Sequence, residues 1–204
     1  KKTKGNGSHE ITGKLIEMNT LPASSTFIDK YKSVSDTLKD YTAEVIGRSN
    51  ATVTTREAFF GPSAFVDLIH RIQLDISGAD ISLAAPLSFD EKISKGDIRI
   101  RDMFRLYRFE NFLYTVKMTG REVDRHLEHS CGLWFNTMGN RNDYLLRYRV
   151  DENGKPVTVN GTLRLRSASY NFDSAMGIRY TVDVTRPEGE RVTITSMSNG
   201  APFH

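Results

Sequence analysis

Gly61-Pro62-Ser63-Ala64-Phe65-Val66-Asp67-Leu68-Ile69-His70-Arg71-Ile72-Gln73-Leu74-Asp75-Ile76-Ser77-Gly78-Ala79-Asp80-Ile81-Ser82-Leu83 is the stretch that decides the fold class of this 204-residue chain. Phe65, Leu68, Ile69, Ile72 and Ile76 recur at helical spacing, which predicts a helix over residues 63–77. Gly78 stops it, because glycine adopts the left-handed conformation that closes a helix at no steric cost. Ile81-Ser82-Leu83 then reads as a short buried strand.

Further along, Asp97-Ile98-Arg99-Ile100 reads as a strand and residues 101–108 as a short helix. Leu113-Tyr114-Thr115-Val116-Lys117-Met118 reads as a strand, and Gly120 opens a helix through about Ser130. The remainder is β-rich. Asn153-Gly154 and Asn160-Gly161 are type I′ hairpin signals. Residues 178–184 and 191–194 pair naturally across Pro187-Glu188-Gly189. The order is not a regular βαβ alternation. The expected class is α+β, with a mixed β-sheet packed with helices.

Towards the N-terminus, Phe27, Tyr31, Val34, Leu38, Tyr41 and Val45 form one apolar stripe at alternating spacings of four and three. That predicts a long amphipathic helix, capped by Ser24 or Ser25 and ended by Gly47. It reads as an interdomain connector or as an ordinary packing helix. Before it, residues 10–18 alternate loosely, as one strand without a nearby partner. The expected organisation is residues 1–22 as the tail of, or link from, an N-terminal domain, residues 23–48 as the connector helix, and residues 49–204 as one compact domain.

The balance of 38% hydrophobic and 26% charged residues fits a folded domain with a polar surface. A net charge of +3 is too small and too spread for a nucleic-acid partner. No apolar run approaches the roughly 18–20 residues of a membrane span. Cys131 is the only cysteine, so no intrachain disulfide forms. Lys1-Lys2-Thr3-Lys4 leads into Gly, Asn and Ser rather than an apolar signal core.

Known catalytic patterns are missing. There is no phosphate-binding Gly-x-x-x-x-Gly-Lys-Ser/Thr loop and no dinucleotide fingerprint. Ser63 follows Gly61 by two residues, as in a nucleophile elbow, but Phe65 replaces the second glycine; Ser63 reads as a helix cap. His126 and His129, with Cys131 beyond, have metal-ligand spacing on a helix but lack a further ligand at suitable spacing. They read as a half-exposed helix face. Arg101, Arg105 and Arg108 share one helix face, read as a solvated basic face or, more sharply, as an anion-steering rim. The residues themselves assign no catalytic group and no metal ligand to this chain.

Several segments, in order, resemble one known family. Gly61-Pro62-Ser63-Ala64-Phe65-Val66-Asp67-Leu68, Ser77-Gly78-Ala79-Asp80-Ile81, Lys95-Gly96-Asp97-Ile98, Arg108-Phe109-Glu110-Asn111 and Met118-Thr119-Gly120-Arg121-Glu122-Val123 are similar to successive motifs of the C-terminal domain of the 5'-nucleotidase / 2',3'-cyclic-nucleotide phosphodiesterase family. Tyr170-Asn171-Phe172-Asp173 through Gly177-Ile178, and Pro187-Glu188-Gly189-Glu190-Arg191-Val192, resemble its closing β-hairpin.

The resemblance implies a two-domain metallophosphatase. An N-terminal metallophosphoesterase domain would carry two divalent metal ions, Zn or Mn, and the catalytic residues. The C-terminal domain would clamp the nucleoside of a nucleotide between two aromatic rings. Phe109 matches the first stacking ring and Asn111 the nearby base-contacting residue. Arg56 lies near the region of the family's substrate-contacting arginines, and Arg105 and Arg108 are further candidates. Two departures stand out. Ala85-Pro86-Leu87-Ser88-Phe89-Asp90 replaces the family's Asn-Gly-Gly-Gly-Ile-Arg, so Asp90 aligns with an arginine. The second stacking ring belongs to a Gly-rich loop expected beyond His204. The implied function is substrate recognition for a metal-dependent phosphohydrolase acting on 5'-nucleotides, located in the periplasm or at the cell surface or secreted. The altered loop motivates the alternative, a non-catalytic nucleoside, sugar or protein binding module.

Overall fold

The computed structural model describes residues 2–5, 8–88 and 91–204. Phe89 and Asp90, the end of the departing loop, therefore lie outside the described residues. The chain divides into two compact units, Lys1–Glu44 and Val45–His204.

In the first unit, β1 (Lys2–Gly5) pairs antiparallel with β2 (Ser8–Ile11). The strand expected over residues 10–18 thus ends at Ile11 and has a local partner. α1 (Ser25–Ala43) follows, and the Ser24 hydroxyl caps it by accepting the Phe27 N–H at 3.3 Å. The helix is shorter than its apolar period predicts. Val45 and Gly47 sit in an extended segment, because a ladder claims them. No residue of α1 is buried, so the stripe of Phe27, Tyr31, Val34, Leu38 and Tyr41 stays exposed.

The second unit opens with β3 (Val45–Ser49), β4 (Val53–Thr54) and a 3-10 turn (Arg56–Phe59). Then come α2 (Ala64–Ser77), β5 (Ser82–Ala84), β6 (Lys92–Ile93), β7 (Gly96–Arg99) and α3 (Ile100–Leu106). After an irregular stretch follow α4 (Gly120–Trp134), β8 (Thr158–Val159), β9 (Thr162–Leu163) and a second 3-10 turn (Ser169–Asn171). β10 (Ser174–Met176), β11 (Ile178–Val182) and β12 (Val192–Met197) complete it. The ladders are β3–β7, β4–β6, β5–β10, β8–β9 and β11–β12, all antiparallel. The class is α+β, as expected, with its β component in short two-stranded ladders.

Local chemistry explains the element ends. Ser63 occupies the N-cap position of α2, but its hydroxyl does not cap; it donates to the Thr54 carbonyl at 3.0 Å and ties the helix start to β4. Gly78 closes α2 in the left-handed conformation, φ 64°. α4 begins with a capping box. The Glu122 carboxylate accepts the Thr119 N–H at 2.7 Å, and the Thr119 hydroxyl accepts the Glu122 N–H at 3.3 Å. α4 also runs past Ser130 to Trp134, because Leu127, Cys131 and Trp134 keep its inner face buried.

One turn expectation holds, while another turn and a strand change. Asn160 and Gly161 both have positive φ, 52° and 75°, as a type I′ turn between β8 and β9 requires. Asn153 does not, so the Asn153-Gly154 turn is of another type. It is held by Asp151, whose side-chain Oδ1 accepts the N–H groups of Asn153 and Lys155. The strand expected over residues 113–118 is not formed. Phe112, Tyr114 and Val116 alternate but stay exposed, and residues 109–119 join no ladder among the described residues. Alternation alone makes no strand; ladder hydrogen bonds do.

Two clusters form the core of this unit. Phe59, Trp134, Phe135 and Phe172 pack edge-on or tilted, with ring centroids 4.6–5.5 Å apart, joined by Leu127, Ile178 and Val192. Each such pair adds about 0.5–1.5 kcal/mol beyond area burial. Phe65, Val66, Ala84 and Ile93 form the second cluster under α2. Arg191 is wholly buried beside the first. It donates to the carbonyls of Phe135 (2.9 Å) and Arg186 (3.2 Å) and to the Thr137 hydroxyl (2.7 Å). Phe135 is the C-cap of α4, so this cation sits at the negative end of the helix. The segment Pro187–Val192 resembling the family is thereby given a structural role.

Candidate functional site

A cavity of about 470 Å3 opens within the second unit. α2 supplies Ile69 and Gln73, one turn apart. β5 and the loop after it supply Leu83, Ala84, Ala85 and Leu87. Tyr107, at the C-cap of α3, stands with Phe109 and Asn111 on the opposite side of the chain order, and Tyr170 and Asp173 complete the wall ahead of β10. The antiparallel register Ser174↔Ala84 is what brings Asp173 to the loop that follows β5.

Phe109 and Asn111 therefore share one cavity, and the departing loop lines it too. Phe109 is 55% exposed rather than held in the core. A half-open ring can accept a flat ligand face without first leaving a packed site. The Asn111 amide donates to the Tyr107 hydroxyl at 2.6 Å, which orients it and leaves its carbonyl oxygen as an acceptor.

Arg56, Arg105 and Arg108 do not line the cavity. Arg56 lies on the first 3-10 turn. Arg105 is 3.8 Å from Asp102 and donates to the Lys92 carbonyl, and Arg108 is exposed. Among the described residues, no Lys, Arg or His lines the cavity.

The polar support of this cavity comes from residues far apart in the chain. His126 on α4 meets Asp173 at 2.7 Å, and that hydrogen bond raises the histidine pKa above its ordinary value against a smaller opposing effect of burial. Beneath the cavity, the Ser82 hydroxyl donates to Gln73 Oε1 at 2.6 Å and faces His70 Nδ1 at 2.8 Å. The other ring nitrogen, Nε2, faces the Ser174 hydroxyl at 3.1 Å, and that hydroxyl in turn donates to the Ala84 carbonyl at 3.2 Å. Burial pushes the His70 pKa down, while Asp67 and Asp173 oppose the shift. The only hint of these partners in the sequence was the Tyr170-Asn171-Phe172-Asp173 segment. It leads into the hairpin of β11 and β12 rather than forming it.

The histidine–cysteine group on α4 diverges. His126 turns to Asp173, His129 is exposed, and Cys131 is buried with its thiol pushed up to about 12, chiefly by burial and then by Glu128. Among the described residues no group of three or more His, Cys, Asp or Glu side chains can hold a metal ion. The described residues of this unit thus offer no donor set for the two divalent ions, which the resemblance implies for an N-terminal domain. Among the described residues no helix is long and apolar enough to cross a membrane.

Residues 44–203 match the family model described as 5'-nucleotidase, C-terminal domain. The chain belongs to that family. It is 36% identical over 97 residues to the trifunctional nucleotide phosphoesterase protein YfkN of Bacillus subtilis, covering 47% of this chain and 6% of that protein. It is 34% identical over 103 residues to a 2',3'-cyclic-nucleotide 2'-phosphodiesterase/3'-nucleotidase of Salmonella typhimurium, covering 50% and 13% respectively. The chain thus spans only a small part of these relatives. The fold is shared with a putative 5'-nucleotidase from Staphylococcus aureus, at TM-score 0.62, 19% identity, 90% of this chain and 32% of that one. A 5'-nucleotidase precursor from Thermus thermophilus gives TM-score 0.59 at 19% identity over 88% of this chain and 31% of that one.

Proposed function

We propose that this chain is the substrate-recognition part of a two-domain, metal-dependent phosphohydrolase acting on 5'-nucleotides. The observation that carries the reading is the meeting of Phe109 and Asn111 in one cavity, within a member of the 5'-nucleotidase C-terminal domain family. The names of its relatives, nucleotide phosphoesterase and 3'-nucleotidase, support a nucleotide as the substrate class.

In this reading the Phe109 ring stacks on the base and the Asn111 carbonyl oxygen accepts from its edge. Stacking contributes on the order of 1–3 kcal/mol per base and tolerates any base. Residues 1–22 lead from an N-terminal metallophosphoesterase domain, residues 23–48 connect, and residues 49–204 recognise. Two divalent metal ions, Zn or Mn, would be held by that N-terminal domain and would activate the attacking water there. This chain contributes remote binding energy rather than a reacting group. Arg56, Arg105 and Arg108 are left with steering as their remaining role. The precursor form named for the Thermus thermophilus neighbour supports a periplasmic, cell-surface or secreted location.

Phosphate release by the full-length protein, over a panel of 5'-nucleotides with Mn²⁺ or Zn²⁺, tests the reading. Metal-dependent release from nucleotides is expected. Release from other esters alone would overturn the substrate class. No release from any ester, with nucleoside binding retained, would establish a non-catalytic binding module instead.

A further inference from the structure

We propose that Asp173 is the hydrogen-bond acceptor of this cavity for the uncharged end of the ligand, and that the phosphate therefore lies outside it. The proposal rests on the reading above that the cavity is the substrate's.

Asp173 lines the cavity and is fixed from one face of α4. His126 Nε2 meets its Oδ2 at 2.7 Å, and the Ser130 hydroxyl donates to its backbone carbonyl at 2.9 Å. Residues 126 and 130 are one helical turn apart, so a single face sets both ends of the residue. The next residue, Ser174, is paired with Ala84 in the β5–β10 ladder. The carboxylate is thus held in place with one oxygen on His126. Its remaining lone pairs serve a ligand, and the side chain is 31% exposed.

The rest of the lining gives this carboxylate its meaning. Two amides, Gln73 and Asn111, and three rings, Tyr107, Phe109 and Tyr170, surround it, and among the described residues no Lys, Arg or His joins them. A phosphate placed there meets a carboxylate with no cation in the wall. An O–H or N–H donor meets a preformed charged acceptor, the stronger class of hydrogen bond. Rejection of the anion and acceptance of the donor act together to set the ligand's orientation. The chemistry selected is a flat ring bearing hydroxyl or amino donors.

The test is calorimetric titration of the full-length protein and its Asp173→Asn, His126→Gln and Phe109→Ala variants. The ligands are adenosine, 2',3'-dideoxyadenosine, purine riboside and inorganic phosphate. Asp173→Asn should weaken adenosine binding by roughly tenfold or more, since a hydrogen bond to a charged group is lost. His126→Gln should weaken it less, with Asp173 still present but less firmly held. The loss should disappear against dideoxyadenosine if the sugar hydroxyls are the donors, and against purine riboside if the amino group is. Asp173→Asn with unchanged adenosine binding, while Phe109→Ala abolishes it, would overturn Asp173 and keep the cavity. Unchanged binding in both variants would overturn the cavity itself. Inorganic phosphate competing with adenosine in the unmodified protein would overturn the placement of the phosphate.

Discussion

The Asn111 side chain donates a 2.6 Å hydrogen bond to the Tyr107 hydroxyl, four residues back along a segment without regular structure. The amide of a residue on an irregular segment would otherwise rotate freely. This one has a fixed donor and a fixed acceptor. Tyr107→Phe removes only the oxygen and keeps the ring. In the full-length protein it should raise KM for nucleotides about fivefold with kcat unchanged, the effect of roughly 1 kcal/mol of lost hydrogen bonding. Steady-state kinetics checks this, and an equal fall in kcat would show that the pair does more than orient binding.

Arg191 is a buried cation whose partners are carbonyls and a hydroxyl at the end of α4. Arg191→Met keeps most of the packing volume and orphans those acceptors. Each buried group left unpaired costs about 1–3 kcal/mol. The variant should lose about 2–4 kcal/mol in urea unfolding, with an unchanged m-value. A loss under 0.5 kcal/mol would mean that water reaches the Phe135 carbonyl.

His126 makes stability depend on pH. Its folded pKa is raised above 6.5, first by the hydrogen bond to Asp173. A raised histidine stabilises the fold fully below 6.5, and the contribution disappears as pH climbs through the folded value. His70, whose pKa burial lowers, acts in the opposite sense: it destabilises as pH falls below 6.5. The two oppose one another in the unmodified protein, so the comparison must be with a variant. The stability gap between the unmodified protein and His126→Gln should be largest below pH 6.5 and shrink as pH rises above it, measured by thermal unfolding. A gap that does not change with pH would contradict the His126–Asp173 interaction.

Cys131 offers a simple probe of the core. Its thiol is buried and pushed up to about 12, so the thiolate is scarce at neutral pH and shielded as well. It should resist iodoacetamide in the native protein and react at the rate of a free thiol in denaturant. Rapid native labelling would mean that α4 opens readily.

Much of the fold was legible because its signals are local. The apolar period of α2 and the left-handed requirement met by Gly78 gave that helix both its face and its end. The Thr119–Glu122 capping box lies within four residues of sequence. What was misread depends on partners far along the chain. Val45 continues the apolar period of α1, yet its pairing with Arg99 across β3 and β7 makes it extended. Residues 113–118 alternate like a strand but have no ladder among the described residues. At the site, Phe109 and Asn111 could be singled out by resemblance. Asp173 could not, since its partner His126 is 47 residues away and only the β5–β10 register brings it to the cavity.

If the Phe109 ring holds the base of a nucleotide, the kinetics of Phe109→Ala in the full-length protein must show it. The comparison substrate is glycerol phosphate, an ester without a ring to stack. The expected result is a fall in kcat/KM of roughly 5- to 150-fold for every 5'-nucleotide, the equivalent of about 1–3 kcal/mol of stacking, with no change for glycerol phosphate. Equal kinetics for nucleotides in the variant and the unmodified protein would contradict it.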